Sequence, residues 1–337
     1  MIENFDVYRT TDGTVSKYIH EDGSETAIKL VKSIQSIFNP ITNKIETRES
    51  DRNKYSIFIS SSVGCFMKCQ FCHLTIKDSK YIKITEEQVL NNLKEAILDA
   101  SKFNPDIKNK HVKLSWMGMG DALNKPEMVY NVTTKILDWI FENNYAIGLD
   151  GVDLSSVLPR LNNNNWIDIF HKLEKELHKY IINPIYKMDN VEYTNNNYTH
   201  KNIFRLFYSI GSPNQEKKDI IIPNAMPLND ASIALNEYQK GGEYPVILHH
   251  VLVEDLNDSE EELNELINFV NNNFTNNELR ILRYNFCAKS SYKESERINI
   301  QVKKLSENIN FLKVQISYGA EVAAACGQFI VKDFVRR

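Results

Sequence analysis

Apolar positions along the chain switch repeatedly between a period of two and a period near 3.6, the pattern of strands alternating with helices. The β-branched and aromatic run YSIFISSSV starts at Tyr55 and ends at Gly64. Thr85 opens the amphipathic stretch TEEQVLNNLKEAILDASKF, whose first-turn glutamates predict a capped helix. KLSWMGMG reads as a buried strand ending in glycines, and Pro126 as the first residue of the helix PEMVYNVTTKILDWIFEN. The alternation continues through AIGLDGVDLSS, NWIDIFHKLEKELHKYI, IFRLFYSIG, PLNDASIALNEYQ, PVILHHVLVED, DSEEELNELINFVNNNF, ELRILRYNF and ESERINIQVKKLSENI. About six β/α units predict parallel strands in a barrel or open sheet, with helices outside.

The first 50 residues alternate weakly and predict a short β-hairpin turning at Asp22-Gly23. The stretch 184–201 lacks clear periodicity and reads as a surface insertion. No linker divides the chain. The expected organisation is an N-terminal β extension over residues 1–54, a β/α core over 55–310, and a C-terminal strand and loop over 311–337.

Composition removes several classes. Forty basic and forty-four acidic side chains give a net charge of −4, so there is no overall basic footprint for nucleic acid. Lysines do gather near the motifs (Lys68, Lys77, Lys80, Lys83, Lys217 and Lys218), either as a local basic rim or as solvated surface groups. No apolar run approaches the roughly 20 residues that span a bilayer. MIENFDVYRT lacks the basic and apolar regions of a secretory signal, so a soluble, cytoplasmic protein is expected. There is no G-x-x-x-x-G-K, G-x-S-x-G or H-E-x-x-H, and MGMGDA lacks the third glycine of a dinucleotide fingerprint. His249 and His250 sit inside a strand pattern, which sends one ring to each face.

The five cysteines carry more. Their number is odd and three lie within eight residues, Cys65-Phe-Met-Lys-Cys69-Gln-Phe-Cys72, so a disulfide scaffold is not expected. C-x3-C-x2-C on a polar loop after a buried strand puts three soft ligands together. They suit an iron–sulfur cluster with one iron left open. The alternative, structural zinc, needs a fourth ligand, and His73 is too close to Cys72 in sequence to join the same tetrahedron readily.

That motif at the end of the first strand of a (β/α)6 series resembles the radical S-adenosylmethionine (SAM) superfamily. SSVGC with KCQFC, MGMGDALNKP, the RYNF strand end and AAACGQF look more specifically like the RNA adenine methyltransferases RlmN and Cfr, over most of the chain from Thr47 to Phe329. The resemblance implies an α/β fold: a partial (β/α)6 radical SAM barrel, with a small N-terminal β-hairpin and a C-terminal active-site loop. It implies that Cys65, Cys69 and Cys72 hold a 4Fe-4S cluster whose open iron binds SAM. The family's Gly-Glu-Pro turn, which takes the SAM amino group, reads Gly120-Asp121-Ala122 here, with the acceptor on a shorter arm. Ser155, Ser209 and Asn285 match SAM-contacting positions at strand ends, although the family's Ser-Leu-His becomes Ser209-Ile210-Gly211. Polar residues at the C-terminal ends of barrel strands face the active site, which agrees. Loop capping is the plainer role for each.

Cys326 matches the family's methyl-carrying cysteine, and Glu46 aligns with its catalytic glutamate. The implied substrate is adenine in RNA or a nucleotide. An electron donor such as flavodoxin or ferredoxin is implied, and the chain is expected to act as a monomer. Two departures stand out. The family's resolving cysteine, seven residues before the cluster, is Phe58 here, and phenylalanine cannot attack sulfur. Only 54 residues precede the first barrel strand, too few for the family's RNA-docking helical domain. Cys287, two residues past Asn285, is either a substitute resolving thiol on the rim or a buried structural cysteine. Besides carbon transfer through Cys326, two alternatives remain at this stage: radical chemistry on a peptide or small molecule, and a family member without turnover.

Overall fold

The computed structural model describes residues 5–30, 34–39, 44–49, 53–160, 165–181, 185–188, 191–194, 203–274, 276–285 and 290–315. Three strands, β1 (Phe5–Arg9), β2 (Val15–His20) and β3 (Glu25–Lys29), form an antiparallel meander. The expected turn joins β2 to β3, where Ser24 N donates to Asp22 Oδ1 at 2.8 Å. A hairpin that the sequence did not announce follows, β4 (Ile34–Asn39) with β5 (Lys44–Glu49). β6 (Lys54–Phe58) begins the parallel series. The short ribbon β7 (Ser62–Val63) and β8 (Ile82–Lys83) encloses the one-turn helix α1 (His73–Ile76).

The β/α alternation then runs as read. α2 (Glu86–Phe103) leads to β9 (His111–Trp116), α3 (Pro126–Glu142) to β10 (Gly148–Ser156), and α4 (Trp166–Leu177) towards the ribbon β11 (Ile185–Met188) and β12 (Val191–Thr194), which occupies the segment read as an insertion. After β13 (Phe204–Ser209) come α5 (Gln215–Ile221) and α6 (Leu228–Gly241). β14 (Ile247–Leu252), α7 (Glu260–Asn273), β15 (Leu279–Arg283), α8 (Ile298–Asn308) and β16 (Leu312–Gln315) complete the series. Local chemistry explains the helix starts. Thr85 and Gln88 form a reciprocal capping box on α2, Ser259 and Glu262 form another on α7, and Pro126 occupies the first turn of α3.

β6, β9, β10, β13, β14, β15 and β16 pair in that order, all parallel. β3 extends the β6 edge and β4 extends the β16 edge, both antiparallel. In a flat sheet β3 and β4 would lie about 38 Å apart, eight inter-strand steps of about 4.8 Å. The five residue steps from Lys29 to Ile34 reach at most about 18 Å. The sheet must therefore curl, and the architecture is a partial (β/α)6 barrel.

Curling gives the strands two unlike faces. Val112, Leu114 and Trp116 of β9, Val152 and Leu154 of β10, Phe204, Leu206 and Tyr208 of β13, and Leu279 and Ile281 of β15 are buried in the core under the helices. Val89, Leu93, Ala96, Ile97 and Ala100 supply the facing stripe of α2. The intervening positions therefore point into the barrel: Lys113 and Ser115, Asp153 and Ser155, Arg205, Phe207 and Ser209, His249, and Arg280. Among the described residues no helix is long and apolar enough to cross a membrane.

Candidate active site

The loop after β6 is shaped by backbone constraints before any cysteine is considered. Gly64 has φ +63°, and a Cβ there would lie 2.4 Å from the Lys80 carbonyl, so the turn into Cys65 admits only glycine. Cys72 N donates to Cys69 O at 3.1 Å, and the Cys72 carbonyl accepts from Thr75 N and Ile76 N as α1 begins. From α5 and its C-terminal turn, the Ile221 carbonyl accepts from Gln70 N at 2.9 Å, and Asn224 Nδ2 donates to Phe66 O at 2.5 Å. From beyond β15, Tyr284 donates to Phe71 O at 3.3 Å, and the Tyr292 hydroxyl donates to Gln70 Oε1 at 3.2 Å.

None of Cys65, Cys69 and Cys72 is in a disulfide, and each is partly covered. Burial pushes the Cys65 thiol up to about 12, with the Asp121 and Cys72 charges adding to it. Cys69 is raised well above the ordinary thiol range, again by burial first and then by Cys72, Cys65 and Asp121. Burial and the neighbouring charges both disfavour the thiolates, so a positively charged partner would favour deprotonating the three together. Among the described residues no group of three or more His, Cys, Asp or Glu forms a ready-made cage for one metal ion. The donor set is nonetheless all sulfur, which fits an iron–sulfur cluster that takes one thiolate per iron.

The Gly-Asp turn after β9 is locked onto the start of this loop. Met119 N donates to Ser60 Oγ at 3.0 Å, Ser61 N donates to Met119 O at 2.8 Å, and Lys125 Nζ donates to Ser61 O at 2.8 Å. Gly120, at φ +87°, lies so close that a Cβ would stand 2.3 Å from Ser62 Oγ and 2.5 Å from Ser61 Oγ. Gly120→Ala is expected to destabilise the fold by about 2 kcal/mol or more, through the left-handed backbone and the overlap together. Urea denaturation checks this; an unchanged midpoint would show that the serines yield.

Asp121 is buried beside the cysteines and points across to β10. Its carboxylate accepts from Ser156 Oγ at 2.8 and 3.0 Å, from Val157 N at 2.9 Å and from Leu123 N at 3.1 Å. Burial pushes its pKa up to about 6, against these hydrogen bonds. Three donors leave this carboxylate one further acceptor position. Ser156 went unnoticed in the sequence, where only its neighbour Ser155 matched a motif; an Asp in the preceding turn and a paired Ser-Ser strand end were the available signal.

Ser155 and Ser209 face the barrel interior from adjacent strands, their hydroxyl oxygens 3.4 Å apart. Asn285 lies two residues beyond β15, partly buried, next to Tyr284, which is tied to the cysteine loop. Phe58 joins Cys65 and Cys72 around Val15, Ala27, Leu74 and Met119, with the Lys29 ammonium 4.4 Å from its ring centroid. The position where a resolving thiol would sit therefore adjoins the cysteine loop but holds an aromatic ring. Glu46 lies in β5, paired with Ile37 of β4. Cys287 and Cys326 lie outside the described residues.

Known proteins resemble this chain at low identity over most of its length. The dual-specificity RNA methyltransferase RlmN of Alcanivorax borkumensis is 23% identical over 301 residues, covering 85% of this chain and 68% of that protein. A probable RlmN of Flavobacterium psychrophilum is 24% identical, covering 99% and 83%. The ribosomal RNA large subunit methyltransferase Cfr of Clostridium botulinum is 22% identical, covering 82% and 70%. A radical SAM methyltransferase from Sphaerobacter thermophilus shares the fold, with a TM-score of 0.63 at 17% identity over 96% of this chain and 81% of that one. No protein-family model matches.

Proposed function

Because this chain is an RlmN/Cfr-like radical SAM protein, we propose that it is a methyltransferase that passes a one-carbon unit through Cys326 to an aromatic carbon, an adenine in RNA or a nucleotide. The observation that carries this reading is the gathering of three cysteines free of disulfides, Cys65, Cys69 and Cys72, on a loop locked to the Asp121 turn. In it the three cysteines would hold a 4Fe-4S cluster, which when bound supplies the electron that splits SAM into methionine and a 5′-deoxyadenosyl radical. Asp121, with one acceptor position spare, would take the SAM amino group. Ser155, Ser209 and Asn285 would orient the rest of SAM from the interior strand ends.

Cys326 acts first as a nucleophile. Its thiolate attacks the methyl carbon of one SAM, forming a sulfur–carbon bond as the methyl–sulfonium bond breaks and S-adenosylhomocysteine leaves. Transfer of a hydrogen atom from that methyl group to the 5′-deoxyadenosyl radical, which becomes 5′-deoxyadenosine, would leave a carbon radical able to add to the electron-poor ring carbon and link protein to acceptor. Glu46 would remove the ring proton. Release needs a second thiol, and Phe58 cannot provide one. Cys287 is our candidate: Tyr284 and Tyr292, on either side of it in sequence, both hydrogen-bond to the cysteine loop. The reading also carries a cytoplasmic, monomeric protein served by a flavodoxin- or ferredoxin-like donor.

Peptide mass spectrometry across Cys326, on protein purified anaerobically after expression with SAM available, tests it. A methyl group or a methylene-linked nucleotide on Cys326 is the expected result. A bare thiol, in protein shown to contain cluster and SAM, would overturn transfer through this residue.

A further inference from the structure

Inside the barrel, around and below Ser155 and Ser209, five neighbouring strands contribute charged and polar side chains that have no part in the proposed methyl transfer. Lys113, Asp153, Arg205, His249 and Arg280 all occupy interior positions. Asp153 accepts from Arg205 Nε at 2.6 Å and pairs with Lys113. Phe207 stands at the centre. The Arg280 guanidinium lies 5.1 Å from its ring centroid, and the His249 ring centroid 4.6 Å from it. Lys113 and Arg205 thus share the Asp153 carboxylate, the neighbouring Lys54–Asp150 pair adds a second carboxylate that acts on Arg205, and Arg280 is engaged at its strand end by Glu278.

Two side-chain nitrogens in this layer are left over. Arg205 Nη2 and His249 Nε2 are buried and have no hydrogen-bond partner among the described residues. His249 is only 4% exposed, so solvent does not satisfy it. An unpaired buried guanidinium N–H is costly, and a barrel-lining position would ordinarily carry an apolar or small side chain. Burial holds His249 neutral, with its pKa near 3, and Lys113 down at about 7, so both respond to an added negative charge.

We propose that this layer binds an anionic group of the acceptor, a carboxylate or a phosphate monoester, with Arg205 and His249 as its direct contacts. The proposal rests on the reading that the barrel receives the acceptor, and it names the class: a small anionic aromatic molecule, such as a free nucleotide. A base within RNA enters a barrel ring-first and leaves its phosphodiesters at the mouth, where the polynucleotide continues in both directions. A terminal anion can go deeper.

Equilibrium dialysis of anaerobically purified, cluster-loaded protein against labelled inorganic phosphate and, separately, labelled benzoate tests this. One saturable site per chain is expected for at least one probe, and the preferred probe separates phosphate monoester from carboxylate. Arg205→Met is expected to weaken binding about tenfold or more, since charge-assisted hydrogen bonds are the strong kind. His249→Phe keeps a ring against Phe207 while removing Nε2, and is expected to weaken binding as well, so the test survives if the arginine variant does not fold. Absence of saturable binding of both probes to folded wild-type protein, or undiminished binding in either folded variant, would overturn the proposal. Neither probe needs SAM cleavage, so this result stands apart from success or failure of the methyl-transfer reading.

Discussion

Alanine at Cys65, Cys69 or Cys72 is expected to remove the visible absorption of an iron–sulfur cluster and to lower reductive SAM cleavage by on the order of 10³-fold or more. Two thiolates cannot satisfy a cluster that takes one sulfur at each of three irons. The fold should tolerate the change, because the loop is held by backbone and neighbouring side chains: Gln70 N to Ile221 O, Asn224 to Phe66 O, and the Met119–Ser60 and Met119–Ser61 bonds at its base. Circular dichroism and the apo-protein melting temperature should therefore stay close to wild type. A variant that kept both iron and SAM cleavage would remove that cysteine from the ligand set.

Cys326→Ala is expected to separate two activities. Label from the SAM methyl group should no longer reach protein or acceptor, while 5′-deoxyadenosine still forms, because the residues proposed to hold cluster and SAM are intact. The effect on carbon transfer is expected to be complete, since alanine has no nucleophile to take the methyl group from SAM. Label arriving at the acceptor undiminished would rule out the covalent route and leave direct radical chemistry. In wild-type protein, Phe58 at the resolving position makes slow release the expected behaviour.

Much of this architecture was legible because local and global signals agree. Thr85 with Gln88 marks a helix start in sequence and forms the capping box in space, and the aromatic run from Tyr55 is a barrel strand. The cysteine spacing located the candidate site without any knowledge of the fold. What stayed hidden depends on contacts between distant segments. KIETRE alternates like many surface strands, and nothing in it says that its hairpin seals the far edge of the sheet rather than extending the near one. Ser156 and Asp121 are 35 positions apart, and their bond exists only because β9 and β10 are neighbours. Lys113, Asp153 and Arg205 each look like ordinary surface charges until strand alternation turns them inward together. Strand alternation sends the two histidines to opposite faces, and His249 pairs with Ser209 and Arg280, both interior positions.

The edge-to-edge passage of the chain also sets a timetable for biosynthesis. Ser36 of β4 pairs with Val314 of β16, so one of the earliest strands to be made waits for one of the latest. At about 5–20 residues per second the ribosome needs roughly a quarter of a minute to a minute to add the intervening length. Throughout that interval β4 has its hairpin partner on one side and an open row of backbone donors and acceptors on the other. The barrel's seam therefore closes late in synthesis, and until then β4 has only its hairpin partner for cover.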